Sequence, residues 1–199
     1  VRQEHETNDL VGLFKMPIVF EVHYQDGSSD SKKLWIEEKQ HTVTVPNAGN
    51  KEIAFVLFDP NSWIVKTVDF RKDADELVAQ ALNAPNMIDR YDAVEAMAKL
   101  PMETKKEHLV KVFYNDSFRA VRAEAAKQLM ADVENLDVQL VKDILNDPAQ
   151  TVRFEAIKAV ESFPEKHLAA FEGLLNDSSY YVVEWALVKL HRENPDKAQ

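Results

Sequence analysis

Asn115-Asp-Ser-Phe-Arg-Ala-Val-Arg-Ala-Glu-Ala125 and Asn146-Asp-Pro-Ala-Gln-Thr-Val-Arg-Phe-Glu-Ala156 are two copies of one pattern. Fainter copies run from Asn83 to Ala93 and from Asn176 to Ala186, so the four Asn residues are separated by 32, 31 and 30 residues. An apolar stretch precedes each turn and another follows it. A fixed period of this size is the mark of a stacked helical repeat. Such stacks build surfaces rather than reaction centres.

Counted from each Asn, apolar residues recur one, two and five positions earlier: Leu82, Ala81 and Val78; Tyr114, Phe113 and Val110; Leu145, Ile144 and Val141; Leu175, Leu174 and Phe171. That spacing predicts one apolar stripe on a first helix. Asp116, Asp147 and Asp177 stand where a second helix should begin, suited to capping its N–H groups, with Pro85 and Pro148 suited to its first turn. The second helix keeps its own register. Val121, Val152 and Val182 lie six after the Asn, Ala93, Ala125, Ala156 and Ala186 ten after, and Val94, Ala126, Ile157 and Leu187 eleven after. Met97, Leu129, Val160 and Leu190 lie fourteen after, completing one face. Pro101 and Pro164 stop two of these helices.

The run Asp-x-x-x-x-Val-Arg-x-x-Ala resembles the core signature of the HEAT-repeat family, matched from Asp116 to Ala125 and from Asp147 to Ala156. The first copy has Asp89 in place of the Val, and the last has Val183 in place of the Arg. End copies of a solenoid are often atypical. The row Arg90, Arg122 and Arg153 invites reading as an anion-binding ladder. Pairing of each Arg with the Asp of a neighbouring repeat, fixing the stacking register, is the better reading.

Residues 1–72 read differently. Val19, Glu21 and His23 alternate with Ile18, Phe20, Val22 and Tyr24, Leu34-Trp-Ile-Glu follows the polar turn Asp26-Gly27, and Thr42–Val45, Ile53–Phe58 and Ile64–Phe70 are short β-branched and aromatic runs. This predicts a small antiparallel β-sandwich over 1–72. Asp26-Gly27 would be a hairpin or bulge turn, and Asn47–Asn50 and Asp59–Ser62 further turns. Val1-Arg-Gln-Glu-His starts as strand with no initiator Met, which predicts a chain continuing upstream. The expected fold is therefore a β-sandwich followed by an all-α HEAT-like α-solenoid of about four helix pairs over 73–199, joined with almost no linker.

The formal charge is −10. Residues 1–72 carry nine cationic and eleven acidic side chains, and the rest fifteen and twenty-three, so the helical part is the acidic one. That argues against a nucleic-acid surface. No apolar run approaches the roughly 18 residues of a membrane span, which predicts a soluble chain, cytoplasmic or periplasmic. There is no cysteine, so there is no disulfide and no thiolate metal site.

Chemistry is hard to find. His5-Glu6 lacks the second His of a helical His-Glu-x-x-His zinc motif. His23, His41, His108, His167 and His191 are scattered singly. Ser28, Ser29 and Ser31 have no base nearby in sequence, and Glu37-Glu38 reads as solvated charge. Trp35, Trp63 and Trp185 each fall in apolar runs and are expected in cores. The expectation is that this chain holds no catalytic, cofactor-binding or metal residue.

One resemblance goes further. Val1-x-Gln3, then Phe14-Lys-Met-Pro17-Ile-Val-Phe-Glu-Val, Asp26-Gly27, Phe55-Val-Leu-Phe58-Asp-Pro60 and Val65-Lys66-x-Val68 follow an order similar to the region behind the catalytic domain of aminopeptidase N-like zinc metallopeptidases. The resemblance implies a parent that removes N-terminal residues from peptides, its zinc held by a His-Glu-x-x-His motif and its substrate amine by a Gly-x-Met-Glu-Asn loop. Neither motif is in this sequence. Its partner would then be its own N-terminal catalytic domain, its role a wall that shapes and gates the cleft, and peptide and zinc would be met only through the full-length enzyme. The alternative is a protein–protein interaction scaffold from a catalytically inactive relative.

Overall fold

The computed structural model describes residues 1–193. Three antiparallel strands come first: β1 (Met16–Tyr24), β2 (Ser29–Ile36) and β3 (Ile53–Phe58), in the spatial order β2-β1-β3. The β1–β2 hairpin turns at Asp26-Gly27, where Gly27 takes φ 81° and Asp26 accepts from the Ser28 N–H. Both expected later turns are present, with Asn50, Asp59, Asn61 and Ser62 all at positive φ.

No second sheet faces this one among the described residues, so the expected β-sandwich gives way to a single three-stranded sheet. Residues 1–3 meet 39–41 only through the Arg2–Gln40 bridge and flanking hydrogen bonds. Thr42–Val45 and Ile64–Phe70 form no strand. Their alternation gives them the composition of strands, but a strand also needs a neighbour to take its N–H and C=O groups. Val43, Val45 and Ile64 instead cover Ile18, Phe20 and Ile36 on one sheet face, while Val65 and Val68 stay exposed.

Eight α-helices follow among the described residues: α1 (Ala74–Asn83), α2 (Met87–Ala96), α3 (Met102–Asn115), α4 (Arg119–Met130), α5 (Val138–Leu145), α6 (Gln150–Ala159), α7 (Leu168–Gly173) and α8 (Tyr180–Glu193). The odd-numbered helices form one layer and the even-numbered ones the other; α4 packs on α2 and α6, and α6 on α8. The Ala at the tenth position is the reason these helices approach so closely: Ala93, Ala125, Ala156 and Ala186 are all buried, as are Val121, Val152 and Val182. Leu187 departs from the expected face and is exposed, because no further helix packs on that side of α8 among the described residues. The residue before the Asn also leaves the expected stripe. Leu145 is buried, but Leu82, Tyr114 and Leu175 lie at the surface.

The sheet is bound to the stack through β3. Phe55 and Leu57 pack on Ala79 and Ala84. The open edge of β3 is closed by side chains of the first repeat: Glu76 accepts from the Val56 N–H, and Lys72 donates to the Val56 carbonyl and to Gln80. This answers the exposure problem of an edge strand without another strand. Asp89, the odd residue of the first copy, is buried and accepts from the Asn61 N–H at 3.1 Å and from Asn86 at 2.9 Å. The first copy thus has a carboxylate where the others have Val because it faces a polar loop. Asp89→Ala leaves these donors without their acceptor. The expected loss is about 1–3 kcal/mol in urea unfolding, with faster hydrogen exchange at Asn61; an unchanged midpoint would refute the role.

His167 is buried, with the Val133 and Leu136 carbonyls beside its ring. Burial and the adjacent Lys166 ammonium push its pKa below the ordinary histidine value, against a smaller opposing pull from the Val133 and Leu136 carbonyls and Glu134. The unfolded chain therefore binds a proton more readily than the folded one. Stability from this group is complete above about pH 6.5 and is lost as pH falls below it. Replacing His167 with Leu should flatten the fall in urea midpoint between about pH 7.5 and 5.5; a slope identical to the parent's would exclude His167 as its cause.

Candidate functional site

The four turns line up along one edge of the stack. Each Asn closes its helix: Asn83, Asn115 and Asn146 donate from Nδ2 to the carbonyls of Ala79, Lys111 and Lys142 four residues earlier, at 2.7–2.8 Å. The last carbonyls of a helix lack intrahelical partners, which gives the repeated Asn its structural reason. The Asp that follows does not cap the second helix directly. Asp116, Asp147 and Asp177 accept from the N–H groups of Phe118, Ala149 and Ser179, two residues on, and so shape the turn. Pro85 and Pro148 likewise sit in the turn, ahead of the helical residues, rather than in the first helical turn.

The same Asp carboxylates receive the Arg of the preceding repeat. Arg90 Nε and Nη2 meet Asp116 at 2.6 and 3.2 Å, Arg122 meets Asp147 at 2.9 and 3.1 Å, and Arg153 meets Asp177 at 2.6 and 2.7 Å. Each Nη1 turns back to carbonyls of its own turn: Ala84 and Pro85, Asp116 and Ser117, Asp147 and Pro148. One guanidinium thus ties its own loop to the next repeat, using the planar fork that lysine lacks. Arg153 holds the Asp177 carboxyl below the usual carboxylate range. The ladder is spent on stacking and leaves no cation for an anion.

A second set of cations works on helix C-termini. Lys105 donates to the Met97 and Ala98 carbonyls, Lys166 to Glu134 and Leu136, and Lys189 to Lys158 and Val160. Each ammonium meets the negative end of a helix in the neighbouring repeat.

The scattered polar residues do not converge. His5 Nε2 lies 2.9 Å from the Gly12 carbonyl, and His23 stacks on Phe55 beside Glu21. Ser28 hydrogen-bonds Asp26 and holds its carboxyl down at about 2. Among the described residues no three His, Asp or Glu side chains are grouped to hold a metal ion. Trp35 and Trp63 are exposed rather than in cores, Trp35 because it points to the uncovered side of β2 and Trp63 because it follows the tight Asp59–Ser62 turn; Trp185 packs against the helical core.

What the edge does offer is two open grooves between successive turns. One, of about 280 Å³, is lined by Leu82, Arg90, Lys111 and Asn115. The other, of about 520 Å³, is lined by Lys142, Asn146, Arg153, Gly173 and Asn176. Sequence reading found the Asn row as a period and missed it as a surface, because the exposure of Leu82, Tyr114 and Leu175 depends on how far each helix end overhangs its neighbour.

Removing one member of a buried pair strands the other charge. Arg122→Ala should cost about 3–5 kcal/mol. Arg122→Lys, which keeps charge but not the fork, should lose part of that. A double-mutant cycle in urea unfolding should show coupling between Arg122 and Asp147; additivity would mean that the contact contributes nothing to holding the repeats together.

No curated protein matches the chain. Residues 74–161, from α1 to just past α6, match the family described as HEAT repeats. With the turn-to-turn pairing, that match supports a HEAT-like helical repeat over α1 to α6.

Proposed function

We propose that this chain is the non-catalytic C-terminal portion of a zinc metallo-aminopeptidase resembling aminopeptidase N. In that role the stapled helical stack is a wall beside the active-site cleft, held at a set angle by the sheet. The supporting observation is where apolar surface lies. Of the twenty large apolar side chains exposed among the described residues, eleven fall in residues 1–70, including Leu10, Phe14, Trp35, Trp63 and Val65. A concentration of exposed apolar side chains in one part of a chain supports a surface that another body covers. A catalytic domain placed upstream of Val1 would cover it, and the residue order Phe14 to Val22 and Phe55 to Pro60 agrees with that placement.

The second reading, an interaction scaffold from an inactive relative, draws on the open grooves of the turn edge. The coding sequence upstream of Val1 separates the two. An intact His-Glu-x-x-His with a Glu about eighteen residues on supports the peptidase; a degenerate motif supports the scaffold. The 199-residue chain alone should neither bind zinc stoichiometrically nor hydrolyse an aminoacyl anilide. Either activity would overturn the proposal.

A further inference from the structure

The Asn row carries more than helix closure. Asn83, Asn115 and Asn146 each use one Nδ2 hydrogen on their own helix, and the remaining N–H and the Oδ1 meet no partner among the described residues. Asn176 is exposed at the equivalent place. A carboxamide with one N–H and one C=O to spare is the complement of a peptide group. Beside three of these Asn residues stands an exposed apolar side chain, Leu82, Tyr114 or Leu175. Four residues before two of them stand Lys111 and Lys142, which line the two grooves and have no carboxylate partner among the described residues. The groove Asp116, Asp147 and Asp177 carboxylates are already taken by Arg90, Arg122 and Arg153.

The geometry points to a binding edge for an extended acidic peptide, whose main chain is read by the Asn carboxamides and whose carboxylates meet Lys111 and Lys142. Packed helices lie about 8–10 Å apart. A polyproline II segment rises about 3.1 Å per residue and presents the same face every third residue, about 9 Å on. One peptide group in three therefore falls opposite each successive turn. The charge of −10 opposes an acidic partner at long range. At about 0.15 M salt that field fades within about 8 Å; Lys111 and Lys142 line the grooves themselves, and the Asp143 carboxylate beside Lys142 is engaged by Tyr114 and Gln139. This binding edge goes beyond the peptidase reading and does not depend on it.

The test is fluorescence anisotropy with the 199-residue chain and a fluorescein-labelled peptide of about twelve residues repeating Pro-Pro-Glu, beside the same peptide with Lys for Glu. The Glu peptide should bind at least about tenfold more tightly than the Lys peptide. Lys111→Glu with Lys142→Glu should invert that preference, whereas Lys33→Glu on the sheet should leave it unchanged. Among the described residues the two groove lysines bond to no other side chain, so their replacement tests binding without threatening the fold. Asn115→Ala with Asn146→Ala should weaken both peptides, and in the parent chain the side-chain amide NMR signals of Asn115 and Asn146 should shift on adding the Glu peptide. Absence of binding, equal binding of the two peptides, or indifference to the lysine reversal would each overturn the assignment.

Discussion

The bidentate Arg–Asp contact between successive turns is the constraint on which the helical stack depends. Apolar faces alone permit neighbouring helix pairs to slide and rotate, since burial is non-directional. A guanidinium fork that must meet a carboxylate in its plane, while also donating to two carbonyls of its own loop, permits one register. Its net contribution to stability is modest, because both charges leave water. Its contribution to geometry is large, because the same carboxylate also builds the turn that starts the next helix. Turn shape and stacking are thereby one device.

The ends of the array follow from the same logic. The first copy has Ala84 where later copies have Asp, and no earlier turn supplies an Arg to it. The last has Val183 where earlier copies have Arg. Each departs in the half of the contact that has no neighbour among the described residues. The first repeat puts its own polar residues to a different use: Asp89, Glu76 and Gln80, with Lys72 just ahead of it, hold the sheet.

The period, the helix pairs and the pairing of Arg with Asp were legible in the sequence because they recur at fixed spacing. Four copies average away local noise. The β1–β2 hairpin was legible because Asp26-Gly27 has turn chemistry between two alternating runs. The sandwich was not, since Thr42–Val45 and Ile64–Phe70 reveal strand composition and say nothing of whether a partner strand stands beside them. The exposure of Trp35 follows from strand parity once β2 is placed, but apolar content alone assigned it to a core. The Asn edge is of the same kind. Leu82 and Leu145 hold identical positions in the repeat, and only the packed stack separates the exposed one from the buried one.

A ladder in which every Arg reaches forward to the following Asp has a direction, and its internal units are interchangeable. Excising residues 116–146 would bring Arg90 opposite Asp147, the same chemistry at the same place. Duplicating it would insert one more Arg and one more Asp already matched to their neighbours. Such an array lengthens or shortens by whole units during evolution without inventing a new contact, whereas a change of a few residues within a unit would break two contacts at once. The near-constant spacing of 32, 31 and 30 residues is the trace of that restriction.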